Sequence, residues 1–141
     1  MPDVLFVCSG NYYRSRFAEI YFNHQAAASG NHRRAESRGF RLHPGNVGPI
    51  SPHAVAGLTQ LGIALPEPHR FPATLTAADL VAARHVVAVK EAEHRPMMQA
   101  YFPQFVERIE YWQIDDVDCA EPCDALEKLQ ARVDELLARI R

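Results

Sequence analysis

Only three cysteines occur in the 141 residues, at positions 8, 119 and 123, too few for a disulfide framework. No apolar stretch approaches the roughly 20 residues that a membrane-spanning helix needs, and no charged-then-apolar leader precedes the first apolar run. A reducing, cytoplasmic setting and no membrane association are therefore expected. Excess charge of one sign is missing as well. The 15 Lys and Arg against 17 Asp and Glu leave a formal net charge of -2, where a nucleic-acid binder would usually carry a basic face. The chain has no Gly-x4-Gly-Lys stretch of a nucleotide-binding loop, no internal repeat and no low-complexity tract. Its 7 histidines are scattered without metal-ligand spacing.

What is present is an ordinary globular composition, 48% hydrophobic and 23% charged, read as one domain over residues 1–141. Apolar runs alternate with helical periods. Residues 4–7 form a short uninterrupted apolar run, the pattern of a strand buried on both faces. From Arg14 the period becomes helical through Phe17, Ala18, Ile20 and Tyr21, as far as Ser29 and Gly30. Further strands are expected at 35–40, 85–89 and 108–114. Helices are expected at 52–61, with Ser51 as cap and Pro52 at the first position, at a short segment after Thr76, at 91–102 if Pro96 falls in the first turn, and from Pro122 to the end. This order predicts an α/β fold, a four-stranded parallel sheet of flavodoxin-like winding with helices on both faces. Ligands of such sheets bind beyond the carboxyl ends of the strands, where Cys8 and the Asp115-Asp116 pair both fall.

Cys8 sits where the first strand gives way to Ser9-Gly10-Asn11, two of whose residues tolerate positive φ, and then to a helix N-terminus. Converging N–H groups, the positive pole of the helix and Arg14 all favour the thiolate over the thiol. The same nest, closed by an arginine whose planar fork matches two oxygens, suits a tetrahedral oxyanion such as a phosphate ester. Nucleophile and anion cradle share one loop.

The segment Cys8-Ser9-Gly10-Asn11-Tyr12-Tyr13-Arg14-Ser15 resembles the Cys-x5-Arg-Ser signature of the low-molecular-weight protein tyrosine phosphatases. The similarity extends over nearly the whole chain, with Ser37-Arg38-Gly39 and Leu61-Gly62-Ile63 at corresponding turns. It implies hydrolysis of protein phosphotyrosine through a cysteinyl-phosphate, with no cofactor, no metal and a phosphotyrosine-bearing protein as partner. Cys8 would attack phosphorus. Ser9, Gly10, Asn11, Tyr12, Tyr13, Arg14 and Ser15 would hold the phosphate oxygens, Asn11 bracing the loop and Ser15 easing the later departure of the thiolate. By resemblance the acid is Asp116, although Val117 replaces the family's proline. Asp115 is the next candidate and Asp118 the third, and all three also fit an acidic turn capping the last helix.

Tyr12, with Phe40 opposite, would wall a slot suited to an aromatic ring, while Tyr13 reads equally as packing. Relatives specialised for phosphoarginine carry a small polar residue where Tyr12 stands. Arsenate reductases of this fold use a mid-chain cysteine pair, which is missing between Ser9 and Asp118. Cys119 and Cys123 read as small residues at a helix start, with resolution of oxidised Cys8, a reversible pair with each other or weak metal binding as alternatives. A phosphate-binding module without turnover is the competing reading of the whole chain.

Overall fold

Val4–Cys8 (β1) is the strand on which the rest is assembled, and all five of its residues are buried. In the computed structural model, which describes residues 2–116 and 122–140, β1 pairs in parallel with Ala35–Gly39 (β2) on one side and with His85–Ala88 (β3) on the other. Glu110–Tyr111 (β4) adds to β3, giving the all-parallel order β2-β1-β3-β4. This is the expected doubly wound sheet.

Successive side chains of a strand point to opposite faces, so β1 contributes to two cores. Val4, Phe6 and Cys8 face Arg14–Ala28 (α1), Pro52–Gln60 (α2) and Pro122–Arg139 (α5), through Phe17, Phe22, Leu58, Leu129 and Leu136. Leu5 and Val7 face Ala77–Ala82 (α3) and Glu91–Tyr101 (α4), with Leu80, Met98 and Val106. Burying both faces explains why β1 reads as continuous rather than alternating apolar sequence.

The helix signals act locally. Gly30, at φ 72°, follows α1 in the left-handed conformation that its sequence position announces. Ser51 accepts a hydrogen bond from the His53 amide at 3.1 Å and Pro52 begins α2. Thr76 and Asp79 exchange hydrogen bonds as a capping box on α3. Two expectations need correction. Pro96 lies a full turn inside α4, not in its first turn, and the helix continues past it to Tyr101. The strand expected over 108–114 pairs with β3 only at Glu110 and Tyr111. Beyond them, the Trp112 carbonyl accepts from the Glu91 amide at 2.8 Å and the Ile114 amide donates to Val89 at 2.8 Å, which draws the chain toward the start of α4. Among the described residues no helix is long and apolar enough to cross a membrane.

Tyr21 ties α1 to α5, its hydroxyl lying 3.0 Å from each oxygen of Asp134. Burial, reinforced by that carboxylate, pushes the phenol up to about 12 from its ordinary 10.0. The folded chain thus holds this proton more tightly than the unfolded one. The stabilisation is complete below pH 10 and is lost as pH rises from 10 toward 12. In urea denaturation, Tyr21→Phe is expected to cost about 1 kcal/mol at pH 7, and the gap to the wild type should close in that alkaline window.

Candidate active site

The loop between β1 and α1 is held in shape by one side chain. Asn11 is fully buried and adopts φ 52°, a left-handed conformation that asparagine tolerates better than most residues. Its amide is saturated: Nδ2 donates to Ser15 Oγ at 2.9 Å and to Ser37 Oγ at 2.8 Å, and Oδ1 accepts from the Arg70 guanidinium at 3.1 Å and the Ala73 amide at 2.9 Å. Because Ser15 Oγ accepts from Asn11, its own proton is free to point at Cys8 Sγ, 2.8 Å away. Behind Asn11, Arg70 and Ser37 both reach Glu19, at 2.8 and 2.5 Å.

Backbone contacts clamp the loop from other sides. The Phe40 and Arg41 amides donate to the Cys8 and Ser9 carbonyls at 3.1 and 2.9 Å, and the Ser51 amide donates to the Tyr12 carbonyl at 2.8 Å. Gly39 is glycine for a spatial reason. A Cβ there would lie 2.8 Å from the Asn11 nitrogen and 2.9 Å from the Ser9 oxygen, inside the loop's own backbone.

Arg14 opens α1, whose N-terminus has no side-chain cap and no acidic residue in its first turn. The guanidinium, 1% exposed, is gripped by Glu93 through two bonds, at 3.2 and 3.0 Å, and also reaches the Ile114 carbonyl at 3.0 Å and Asp116 at 3.3 Å. Burial opposes its charge, but Cys8, Glu93 and Asp116 outweigh it and Arg14 holds its proton more firmly than usual. Glu93 in turn is held far below the usual carboxylate range, first by His94 and then by Arg14 and Ser9, against the cost of burial. His94 is buried and pushed down by desolvation, so it is neutral. Its Nδ1 accepts from the Lys90 amide at 3.1 Å, which places the ring proton on Nε2, facing Ser9 Oγ at 3.2 Å and Glu93 at 3.4 Å. The Ser9 hydroxyl donates to Glu93 as well. A carboxylate, a neutral imidazole and a hydroxyl thus fix the arginine from below.

Cys8, Tyr12, Arg14, His43, His53 and Asp116 line one cavity of about 370 Å³ at the carboxyl edge of the sheet. Ser9, Gly10 and Tyr13 also border it. Asn11 and Ser15 lie beneath, wholly buried. Tyr12 is fixed at the rim, its hydroxyl donating to the Val47 carbonyl at 2.6 Å. Tyr13 is largely buried, with its ring edge-on to His53 at 6.1 Å.

Phe40 does not line this cavity. It falls on the face of the sheet shared with Leu5, Val7 and Met98 and stacks on His94 at 5.6 Å. The Tyr12 and Phe40 pair of walls expected from the sequence is therefore replaced by Tyr12 with His43 and His53. Asp115 points elsewhere too, its carboxylate 2.7 Å from Lys90 Nζ, which holds it below its usual range. Val117, Asp118, Cys119 and the side chain of Cys123 lie outside the described residues. Glu93, Arg70 and Glu19 were not singled out by the sequence reading. The one signal for Glu93 was a carboxylate in the first turn of the helix after β3, at the same sheet edge as Cys8. Among the described residues, no group of three or more His, Cys, Asp or Glu is arranged to hold a metal ion.

A thiol and a buried arginine share one cavity at the carboxyl edge of a parallel sheet, at the point where strand order reverses, the usual ligand position of such α/β folds. The profile of the family described as low molecular weight phosphotyrosine protein phosphatase matches residues 3–140, and the chain belongs to that family. A low molecular weight protein tyrosine phosphatase from T. tengcongensis is similar in structure, with a TM-score of 0.81 and 25% identity over 99% of this chain and 100% of that one. One from Streptococcus pyogenes has a TM-score of 0.81 at 17% identity, over 100% and 94% of the two chains. The YwlE arginine phosphatase from Geobacillus stearothermophilus shares the fold at 23% identity, with a TM-score of 0.76 over 97% of this chain and 91% of that one. Comparison with curated proteins found no match.

Proposed function

We propose that the protein hydrolyses phosphotyrosine in proteins through a cysteinyl-phosphate intermediate. The observation that carries this reading is the convergence of Cys8, Arg14 and Asp116 on one cavity, with the Ser15 hydroxyl 2.8 Å from the sulfur. The phosphate dianion enters the cradle and takes over donors of Arg14 that now face Asp116. The thiolate of Cys8 attacks phosphorus as the bond to the phenolic oxygen breaks, and Asp116 gives that oxygen its proton. Arg14 and the loop N–H groups stabilise the equatorial oxygens throughout. Water, its proton accepted by Asp116, then attacks the cysteinyl-phosphate. The sulfur leaves as a thiolate stabilised by Ser15, and inorganic phosphate departs.

Asp116 is favoured over Asp115 as the acid because it borders the cavity, whereas Asp115 is paired with Lys90. Support for an aromatic substrate comes from Tyr12, whose ring is immobilised at the rim by its bond to Val47 and offers a flat wall where an arginine phosphatase of this fold is expected to be small and polar. A compartment holding phosphorylated cytoplasmic proteins fits the reading.

The test is turnover of matched phosphotyrosine and phosphoarginine peptides in excess chelator, followed by acid quench and phosphorus NMR of the trapped enzyme. A phosphorus bound to sulfur and a preference for phosphotyrosine of about tenfold or more in kcat/KM are expected. Turnover confined to phosphoarginine overturns the substrate reading. Phosphate binding with no turnover of either peptide replaces it with a binding module.

A further inference from the structure

We infer that Lys90 is a positioning residue that decides which of two adjacent aspartates faces the phosphate, by latching Asp115 outward so that Asp116 points in. The inference rests on the proposed role of Asp116 as the acid. Lys90 immediately precedes α4 and Asp115 follows the short β4, so the two belong to segments that meet at the edge of the cavity. Their side chains approach to 2.7 Å, and that of Lys90 is only 20% exposed.

The backbone prepares the contact. Lys90 and Gln113 form an antiparallel bridge, beside the Glu91 to Trp112 and Ile114 to Val89 hydrogen bonds, both 2.8 Å. Arg14 adds a bond to the Ile114 carbonyl at 3.0 Å. The chain is therefore clipped up to Ile114. The two neighbouring side chains leave the chain toward different cations, Asp115 to Lys90 and Asp116 to Arg14, and the direction taken by Asp115 sets the direction taken by Asp116.

Of two adjacent carboxylates, one reaches the arginine and the other the lysine. Asp116 reaches Arg14 at 3.3 Å, and Asp115 feels the charge of Arg14 as well. Without Lys90, nothing in the chemistry of two aspartates separates their roles. With it, Asp115 is held by a cation at 2.7 Å and the register of the acid is fixed. A proton donor misplaced by about 1 Å loses much of its effect on a leaving oxygen. A partly exposed ion pair adds little to global stability, so removing it should be read in catalysis and not in the melting temperature.

The experiment exploits the leaving group. An aryl phosphate with a poor leaving group, such as phenyl phosphate, needs the acid, while para-nitrophenyl phosphate needs it far less. The ratio of their kcat/KM values is compared for wild type, Lys90→Met, Lys90→Arg, Asp115→Asn and Asp116→Asn, with thermal melts of each. Lys90→Met is expected to depress phenyl phosphate about tenfold more than para-nitrophenyl phosphate, shifting the ratio in the direction of Asp116→Asn, with an unchanged melt and with recovery in Lys90→Arg. A shifted ratio in Asp116→Asn with a wild-type ratio in Lys90→Met overturns the latch and leaves the acid in place. A loss in Asp115→Asn equal to that of Asp116→Asn, again with a wild-type ratio in Lys90→Met, overturns it by making Asp115 a proton donor itself. A wild-type ratio in Asp116→Asn removes the acid and the latch together.

Discussion

Cys8→Ser is expected to reduce phosphate release from an aryl phosphate to the level of buffer, a loss of at least about 10⁴-fold in kcat. The substitution is nearly isosteric, and the site is built to accept it without rearrangement. The residue is 3% exposed at the carboxyl end of β1, where its carbonyl is bound by the Phe40 amide at 3.1 Å. What changes is the acidity of the atom facing the cradle, since an alcohol is not a nucleophile here without a base to take its proton. Ser15 cannot serve as that base, because a neutral hydroxyl is too weak a base and its oxygen already accepts from Asn11 Nδ2 at 2.9 Å. The cradle itself is untouched, so orthophosphate should bind the variant with an affinity within a few-fold of wild type by calorimetry. Residual turnover in Cys8→Ser at a tenth of the wild-type rate would assign the nucleophile elsewhere.

Asn11→Ala should be the most destabilising single change in the loop, by about 3 to 4 kcal/mol in urea denaturation. It removes four hydrogen bonds at once, and the Ser15 and Ser37 hydroxyls, the Arg70 guanidinium and the Ala73 amide each lose a partner. Alanine at φ 52° adds a conformational cost of about 1 kcal/mol. Asn11→Gly separates the two contributions, since glycine adopts that conformation freely. It should be the more stable of the two variants while losing the same hydrogen bonds. Both are expected to lose turnover, because the Ser15 proton is then no longer committed to Cys8. A variant as active as wild type would show that the loop keeps its shape without the amide.

The order in which the chain lost and gained legibility follows the range of the forces involved. The strand, loop and helix around Cys8 could be read because the period of apolar residues changes within a few positions, and the helix ends at Ser51, Thr76 and Gly30 carry their own local chemistry. The alternation near Ile109 and Tyr111 reads as a longer strand, yet regular pairing stops after Tyr111, where the Trp112 carbonyl accepts from the Glu91 amide at the start of α4 instead of continuing the ladder. For Phe40, sequence gives the end of β2 but not the face on which the next ring falls, and the ring packs with Leu5, Val7 and Met98 rather than in the pocket. Glu93 was invisible for a different reason. Its partner Arg14 lies 79 positions away, and only the winding of the sheet brings them together.

The unequal lengths of the strands carry a consequence for motion. β1 is paired along both edges and buried over its whole length, so its amides should be among the last in the molecule to exchange with solvent deuterium. β4 contributes two residues at the border of the sheet. The thiol thus ends the most fully paired strand and the aspartates follow the shortest one, where opening is expected at lower free energy. An opening at the β4 edge has to break the Glu91 to Trp112 and Ile114 to Val89 bonds and the Arg14 contacts to Ile114 and Asp116, while the pairing of β1 with β2 is untouched. Hydrogen exchange is then expected to be slow on the thiol's side of the cavity and faster on the side of the aspartates.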